Sequence, residues 1–329
     1  MTVINGIEID HIRYNPNIIK QAIENNEKIE DFLHVIAVVS NPCLFAKRYI
    51  LMKEFIHRFD KEESNVILYI VELAYGNQKF IITDSKNSKH LQLRTDVPLW
   101  HKENMINLGV KYLLPKTWKA FAWIDADLEF ESNTWATDTL KILNGTKDIV
   151  QLFSHCVDMD NNLMTMRVFN SGGYQYTKEN QYCNKGDNYW HPGFAYAMTR
   201  KAYNKIGGLY DKAILGSGDN IMMLSIIGQG LKAINPLSTN DYKQSIVEFE
   251  SKIKLLRFGY VPGIIRHHFH GSKINRKYQE RWLILIKHLY TPNFIKYDKV
   301  GIIIPTKDFS EELKKDIYNY FLERNEDEV

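Results

Sequence analysis

The sequence predicts an α/β fold: a Rossmann-like, mostly parallel central sheet flanked by helices, followed by a C-terminal helical extension. Three observations point there. His34 to Ser40 and Val66 to Val71 are nearly unbroken apolar runs rich in β-branched residues, as in strands covered on both faces. Between them, Phe45, Tyr49, Met52, Phe55, Ile56 and Phe59 recur at helical spacing. A third apolar run, Phe121 to Ile124, follows another helical stretch. Strand, helix, strand, helix in this order is the pattern of a doubly wound parallel sheet.

Each element has its own signal. The second strand ends at Glu72, and Lys79 to Thr83 reads as a short third strand. A helical segment from about Pro98 to Leu113 leads into the Phe121 strand, which stops on Asp125-Ala126-Asp127. Thr134 to Leu143 is expected to be helical and Ile149 to Phe153 extended. The Asn-, Gly- and Tyr-rich stretch from Ser154 to Asn188 has weak periodicity and is expected to form loops and short strands around a second substrate pocket. Trp190 to Met198 reads as a strand opening on the Pro192-Gly193 turn. Thr199 is placed to cap a helix that runs to Ile206 and stops at Gly207-Gly208. Next, a loop with Gly216 and Gly218 delivers Asp219 to an apolar helix, Ile221 to Ile227. Tyr242, Ile246, Phe249, Ile253 and Leu256 then mark one face of a longer helix. Val261 to Ile265 leads into His267-His268-Phe269-His270-Gly271, Arg281 to Tyr290 reads as a last helix, and the tail after Phe321 is acidic and expected to fray.

Composition narrows the class. Hydrophobic residues at 44% and charged residues at 25% are those of an ordinary globular protein, which excludes disordered and collagen-like chains. A net charge of +3 without a dense basic stripe gives no reason to expect nucleic acid as partner. Cys43, Cys156 and Cys183 are far apart and lack zinc-site spacing, so they are expected to be reduced thiols. Met1 to Pro16 has neither a signal core nor a transit pattern, and no run of about twenty apolar residues occurs. A cytoplasmic protein without a membrane span is the expectation.

Three groups could do chemistry. Alternate side chains of a strand share a face, so Asp125 and Asp127 are expected to point together beyond the sheet edge. Two close anions repel unless a cation lies between them, and hard carboxylate oxygens suit Mg²⁺ or Mn²⁺, which share their shell with substrate phosphates. A solvated turn is the plain alternative. Asp219 reads either as a general base aimed into the cleft or as a helix N-cap. His268 and His270 share a face if the segment is extended, while His267 and His270 could meet in a turn; an exposed basic patch with Arg266 and Lys273 explains them equally. Lys273, Arg276, Lys277 and Arg281 could neutralise a diphosphate or form a solvated helix face. Ser40, Asn41, Glu72, Asp125 and Asp127 all fall at carboxyl ends of strands, where such sheets bind ligands.

In their order along the chain, these motifs resemble those of GT-A fold glycosyltransferases that use nucleotide-diphospho-sugars, of the family 2-like and galactosyltransferase-like kind. The resemblance runs from Val35 to Arg281 and rests on Ser40-Asn41-Pro42, Glu72, Trp123-Ile124-Asp125-Ala126-Asp127, Pro192-Gly193-Phe194-Ala195-Tyr196-Ala197, Ile206-Gly207-Gly208-Leu209-Tyr210-Asp211, Gly216-Ser217-Gly218-Asp219 and His267-His268-Phe269-His270-Gly271. It implies a metal-dependent transferase moving a hexose or N-acetylhexosamine from a UDP-sugar to an acceptor hydroxyl, with inversion. The implied cofactor is Mn²⁺ or Mg²⁺, held by Asp127 with Asp125, His270 and His268. Donor contacts would come from Ser40, Asn41, Glu72, Lys102, Asn107, Asp125 and Gly193, and Asp219 would be the base. Gly218 and Asn220 stand where many members carry further acids. The implied organisation is an N-terminal extension (1–33), a catalytic domain (34–275) with a nucleotide half (34–130) and an acceptor half (131–275), and a C-terminal extension (276–329). A sugar nucleotidyltransferase would instead need a glycine-rich basic loop after the first strand, which Ser40 to Lys47 lacks. A catalytically silent carbohydrate-binding protein is the alternative outside enzymes.

Overall fold

A computed structural model of the protein describes residues 2–4, 7–9, 16–25, 32–62, 65–186 and 188–328. In chain order, an antiparallel pair β1 (Thr2–Ile4) and β2 (Ile7–Ile9) and helix α1 (Pro16–Glu24) precede β3 (Leu33–Ser40), α2 (Ala46–Glu62), β4 (Val66–Tyr75), β5 (His90–Thr95), α3 (Lys102–Tyr112) and β6 (Ala120–Ile124). Then come β7 (Leu128–Phe130), α4 (Trp135–Leu143), β8 (Ile149–Gln151), β9 (His155–Met159), β10 (Thr165–Ser171), α5 (Gly172–Thr177), β11 (Trp190–His191), β12 (Ala195–Thr199) and α6 (Arg200–Ile206). The chain continues through α7 (Gly218–Ile226), α8 (Asn240–Ile253), β13 (Phe258–Tyr260), β14 (Ile264–His267), α9 (Arg281–Lys287), the pair β15 (Ile295–Tyr297) and β16 (Ile303–Pro305), and α10 (Glu311–Glu323).

The larger sheet has seven strands in the order β13-β8-β12-β6-β3-β4-β5. Its neighbours pair in parallel except β12, which runs antiparallel to both β6 and β8. The chain steps outward from β3 to β4 and β5, then returns through α3 to β6 on the other side of β3. That reversal opens a crevice between the carboxyl ends of β3 and β6, the place where open α/β sheets bind ligands. A second sheet, β11-β10-β9-β14-β7, stands beside it, and the short turn Asp125–Asp127 carries the chain from one sheet to the other.

Period-two alternation sorts the central strands into two cores. Ile36, Tyr69, Val71, Leu73 and Tyr75 pack toward α3, and Val35, Ala37, Val39 and Ile70 pack with Met52, Phe55 and Phe59 of α2. Full burial of one such Ile or Phe is worth about 1.5–3 kcal/mol. At Gly109 the α3 backbone lies so close to the sheet that a Cβ would stand 3.0 Å from Ile36 and 3.1 Å from Val71, which fixes where the start of α3 emerges. The C-terminal segment joins the first core through Trp282, Leu285, Leu313, Ile317, Tyr320 and Phe321. No described helix is long and apolar enough to cross a membrane, and the three cysteines are free.

Two expectations need correction. Lys79 to Thr83 is not a strand: its amides turn to a buried carboxylate, as described below, and the third parallel strand is β5, with Leu91 and Leu93 alternating against Gln92 and Arg94. Nor does the tail fray after Phe321. Helix α10 runs to Glu323, and Arg324 and Glu326 are 5% and 2% exposed.

Candidate active site

A cleft of ≈ 650 Å³ opens over the crevice between β3 and β6. Ser40 and Asn41 from the end of β3, Tyr75 from the end of β4, Lys102 from α3, and Asp125 and Asp127 from the β6–β7 turn all line it. Gly193, Asp219, His267, His270, Arg276 and Arg281 line it from the other half of the chain, together with Arg324 and Glu326 of the tail.

The two carboxylates of the turn face this cleft but have different partners. Asp125 forms an ion pair with Lys102 in the first turn of α3. Burial raises the Asp125 carboxyl despite that lysine. Asp127 instead meets histidines: its Oδ2 lies 2.8 Å from His270 Nε2 and 3.7 Å from His267 Nε2. Burial alone would raise Asp127, but the two histidines outweigh it and hold the carboxyl well below its usual range.

Sheet register explains the encounter. Leu128 of β7 pairs with His267 of β14, and the His268 N–H donates to the Asp127 carbonyl at 2.8 Å. Along β14 the inward residues are Ile265 and His267, so His268 falls on the opposite face. There its Nε2 lies 3.3 Å from Glu129, away from the cleft. The structure thus places His267, and not the expected His268, beside Asp127 in the cleft. Behind it, the buried Asp158 Oδ1 lies 2.7 Å from His267 Nδ1 and Lys273 pairs with the other Asp158 oxygen. A carboxylate that fixes one ring nitrogen and presents the other is the usual support of a metal-binding histidine.

Asp127, His267 and His270 can each offer one ligand atom within 4.8 Å of the others, a group that leaves out Asp125. Asp127 Oδ1 is buried without a hydrogen-bond partner among the described residues. Such an orphaned carboxylate oxygen beside two imidazoles fits a divalent cation, with one hard oxygen and two nitrogen donors suited to Mn²⁺. Charge is arranged to match. Burial and the adjacent Arg276 push His270 down to about 4, which keeps its ring neutral near pH 7. Against burial, Asp127 and Asp158 raise His267.

Asp219 lies across the cleft in the first turn of α7. The N-cap position belongs to Ser217, held in the left-handed region at φ 76, and among the described residues Asp219 Oδ1 accepts only from the next N–H, that of Asn220, at 2.8 Å. The loop is wedged on both sides. A Cβ on Gly218 would stand 2.3 Å from the Glu103 carboxyl, and Arg281 donates to the Leu215 carbonyl and the Ser217 hydroxyl. Gly193 makes room, because a Cβ there would lie 2.5 Å from Asp219 Oδ2. Burial raises Glu103 to about 8 against the pull of Lys102. Asp125, Asp219 and Glu103 together raise Lys102 although burial opposes them, so this ammonium stays charged between the two halves of the cleft.

Two expected donor contacts lie elsewhere. Glu72 is 3% exposed, and its carboxylate accepts the N–H groups of Ile81, Ile82 and Thr83 and the Thr83 hydroxyl. Asn107 braces the turn after α6, accepting from Leu209 N–H and the Tyr203 hydroxyl and donating to the Leu209 carbonyl. Neither lines the cleft. Asn41 does, though its amide closes its own turn on Phe45. Sequence reasoning missed Asp158, Tyr75, Arg48, Arg324 and Glu326. Counting by twos from Ile265 would have selected His267, whereas Asp158 belongs to the weakly patterned stretch and reaches His267 only through sheet register.

The sequence matches no family model and no curated protein. Among solved structures, the chain is similar to the catalytic domain of Drosophila β1,4-galactosyltransferase 7 in complex with xylobiose, at 12% identity over 84% of this chain and 93% of that one, with a TM-score of 0.37. A mutant of that enzyme in complex with manganese, UDP-Gal and xylobiose gives the same values. The mannosyltransferase PcManGT from Pyrobaculum calidifontis, in complex with GDP-Man and Mn²⁺, is similar at 13% identity over 91% of this chain and 75% of that one, with a TM-score of 0.43.

Proposed function

We propose that this protein is a metal-dependent glycosyltransferase of the GT-A kind, moving a sugar from a nucleoside diphosphate donor, UDP in our reading, to an acceptor hydroxyl. One observation carries the proposal. The Asp127–His267–His270 cluster, with its orphaned carboxylate oxygen, faces Asp219 in a single cleft at the switch point of a parallel sheet. Asp127, His267 and His270 would hold the cation, which would supply positive charge against the donor diphosphate. Lys102 adds a fixed charge on the same side and keeps Asp125 in place.

Asp219 takes the proton from the acceptor hydroxyl as that oxygen attacks the anomeric carbon. The bond from this carbon to the phosphate oxygen breaks, and its electron pair leaves with the diphosphate. Attack from the face opposite the leaving group inverts the configuration. Tyr189 and Trp282, both lining the cleft, offer apolar surface for sugar rings.

The test is hydrolysis of, and transfer from, a panel of nucleotide sugars in Mn²⁺. Wild type should consume a UDP-sugar only with the metal. Asp219→Asn should keep donor binding while losing turnover by about a hundredfold or more. Full turnover in that variant would remove Asp219 from the chemistry, and an inert wild type under every donor would overturn the proposal.

A further inference from the structure

We propose that the Tyr75 hydroxyl is a specificity-determining contact that reads the nucleobase of the donor, an inference that rests on the nucleotide-sugar reading above. Strand β4 continues three residues past Glu72, and the odd residues Val71, Leu73 and Tyr75 share the face toward α3 while Glu72 takes the other face. The group that meets the nucleotide side of the cleft at this strand end is therefore the phenol.

Tyr75 is held firmly. Gln78 Oε1 accepts its N–H at 3.1 Å, and Gln78 Nε2 reaches the carbonyls of Asn41 and Pro42 at 3.3 and 3.4 Å, tying the end of β4 to the loop after β3. Its ring is 7% exposed and packs near His101. Yet its hydroxyl is buried and makes no hydrogen bond of ordinary geometry among the described residues; its polar neighbour is the Ser40 side chain, which also lines the cleft. His101 cannot serve, because its two ring nitrogens lie 2.8 and 3.0 Å from the carbonyls of Leu99 and Ile303. A second cleft residue, Trp100, has a buried Nε1 donor that is likewise unpartnered.

Unpaired polar groups in a packed wall cost stability and persist where a ligand completes them. An indole N–H can only donate, whereas a phenol can donate or accept. The complement is a heterocycle with carbonyl oxygens and a ring N–H, which uracil offers.

Tyr75→Phe removes this one oxygen and leaves the ring in place. Thermal melting and calorimetric titration with UDP, CDP, ADP and GDP in Mn²⁺ give the test. Wild type should prefer one base. The variant should melt at the same temperature or higher, bind the preferred nucleotide about three- to tenfold more weakly and discriminate less among the four. Unchanged affinity and discrimination would overturn the assignment of Tyr75 alone, as would a lower melting temperature with unchanged affinity, since the hydroxyl would then serve the fold. Absence of binding of all four nucleotides to wild type would overturn it together with the reading it rests on.

Discussion

Asp158→Asn isolates the support of the proposed metal centre without touching a ligand. Asp158 is 1% exposed, and its Oδ1 fixes His267 Nδ1 at 2.7 Å so that Nε2 faces Asp127. Two effects compete in the variant. Loss of the negative charge lets His267 give up its proton more readily, which favours a cation; loss of the charge-assisted bond frees the ring to turn, which disfavours it. Orientation should win, because partners of this kind are typically worth 10- to 100-fold in metal affinity. That is about 1.4–2.7 kcal/mol. The ion pair to Lys273 adds little, since that lysine is half-exposed and its charge is screened by solvent. The assay is titration of the metal-free protein with Mn²⁺, with melting followed in parallel to show that the fold survives. Wild-type Mn²⁺ affinity in a folded Asp158→Asn protein would refute the reasoning.

Other outcomes follow from the same geometry. His267→Ala should weaken Mn²⁺ binding by about a hundredfold or more, whereas His268→Ala, altered on the far face, should leave it within about twofold; equal losses would restore His268 as a ligand. Mn²⁺ affinity should fall as pH drops through the raised pKa of His267, by roughly tenfold per pH unit, because the ring must lose its proton to bind metal. Without metal the dependence reverses. Stabilisation from protonated His267 between Asp127 and Asp158 is complete below about pH 6.5, its unfolded value, and is lost as pH rises through the raised folded value. Melting curves across that window should show metal-free stability declining while the gain from Mn²⁺ grows.

Much of this molecule can be read from the chain where local signals are strong. The apolar runs of β3, β4 and β6 are the central strands, and Thr199 caps α6, its hydroxyl accepting from Ala202 N–H, while Gly207 ends the helix at φ 78. The face of α8 chosen by helical spacing is buried. Illegible parts depend on distant partners. Phe80-Ile81-Ile82 looks like a strand, but the amides of Ile81 and Ile82 are drawn to Glu72 instead of a neighbouring strand. The same contact removes Glu72 from the cleft. The acidic tail reads as frayed from sequence, yet Arg48 and Arg324 pair with the buried Glu326 and the amides of Ala46 and Lys47 bind Asp327. Asp125 and Asp127 do share a cleft, but Lys102, brought in from the distant helix α3, takes the first of them as its ion-pair partner.

Calorimetric titration of UDP, with and without Mn²⁺, on wild type and Asp127→Ala asks most directly whether Asp127, His267 and His270 hold a cation that in turn holds a diphosphate. Wild type should bind UDP at least about tenfold more tightly with Mn²⁺, and the variant should show no metal dependence. Equal UDP affinity with and without Mn²⁺ in wild type, or full metal dependence in Asp127→Ala, would contradict the proposed centre.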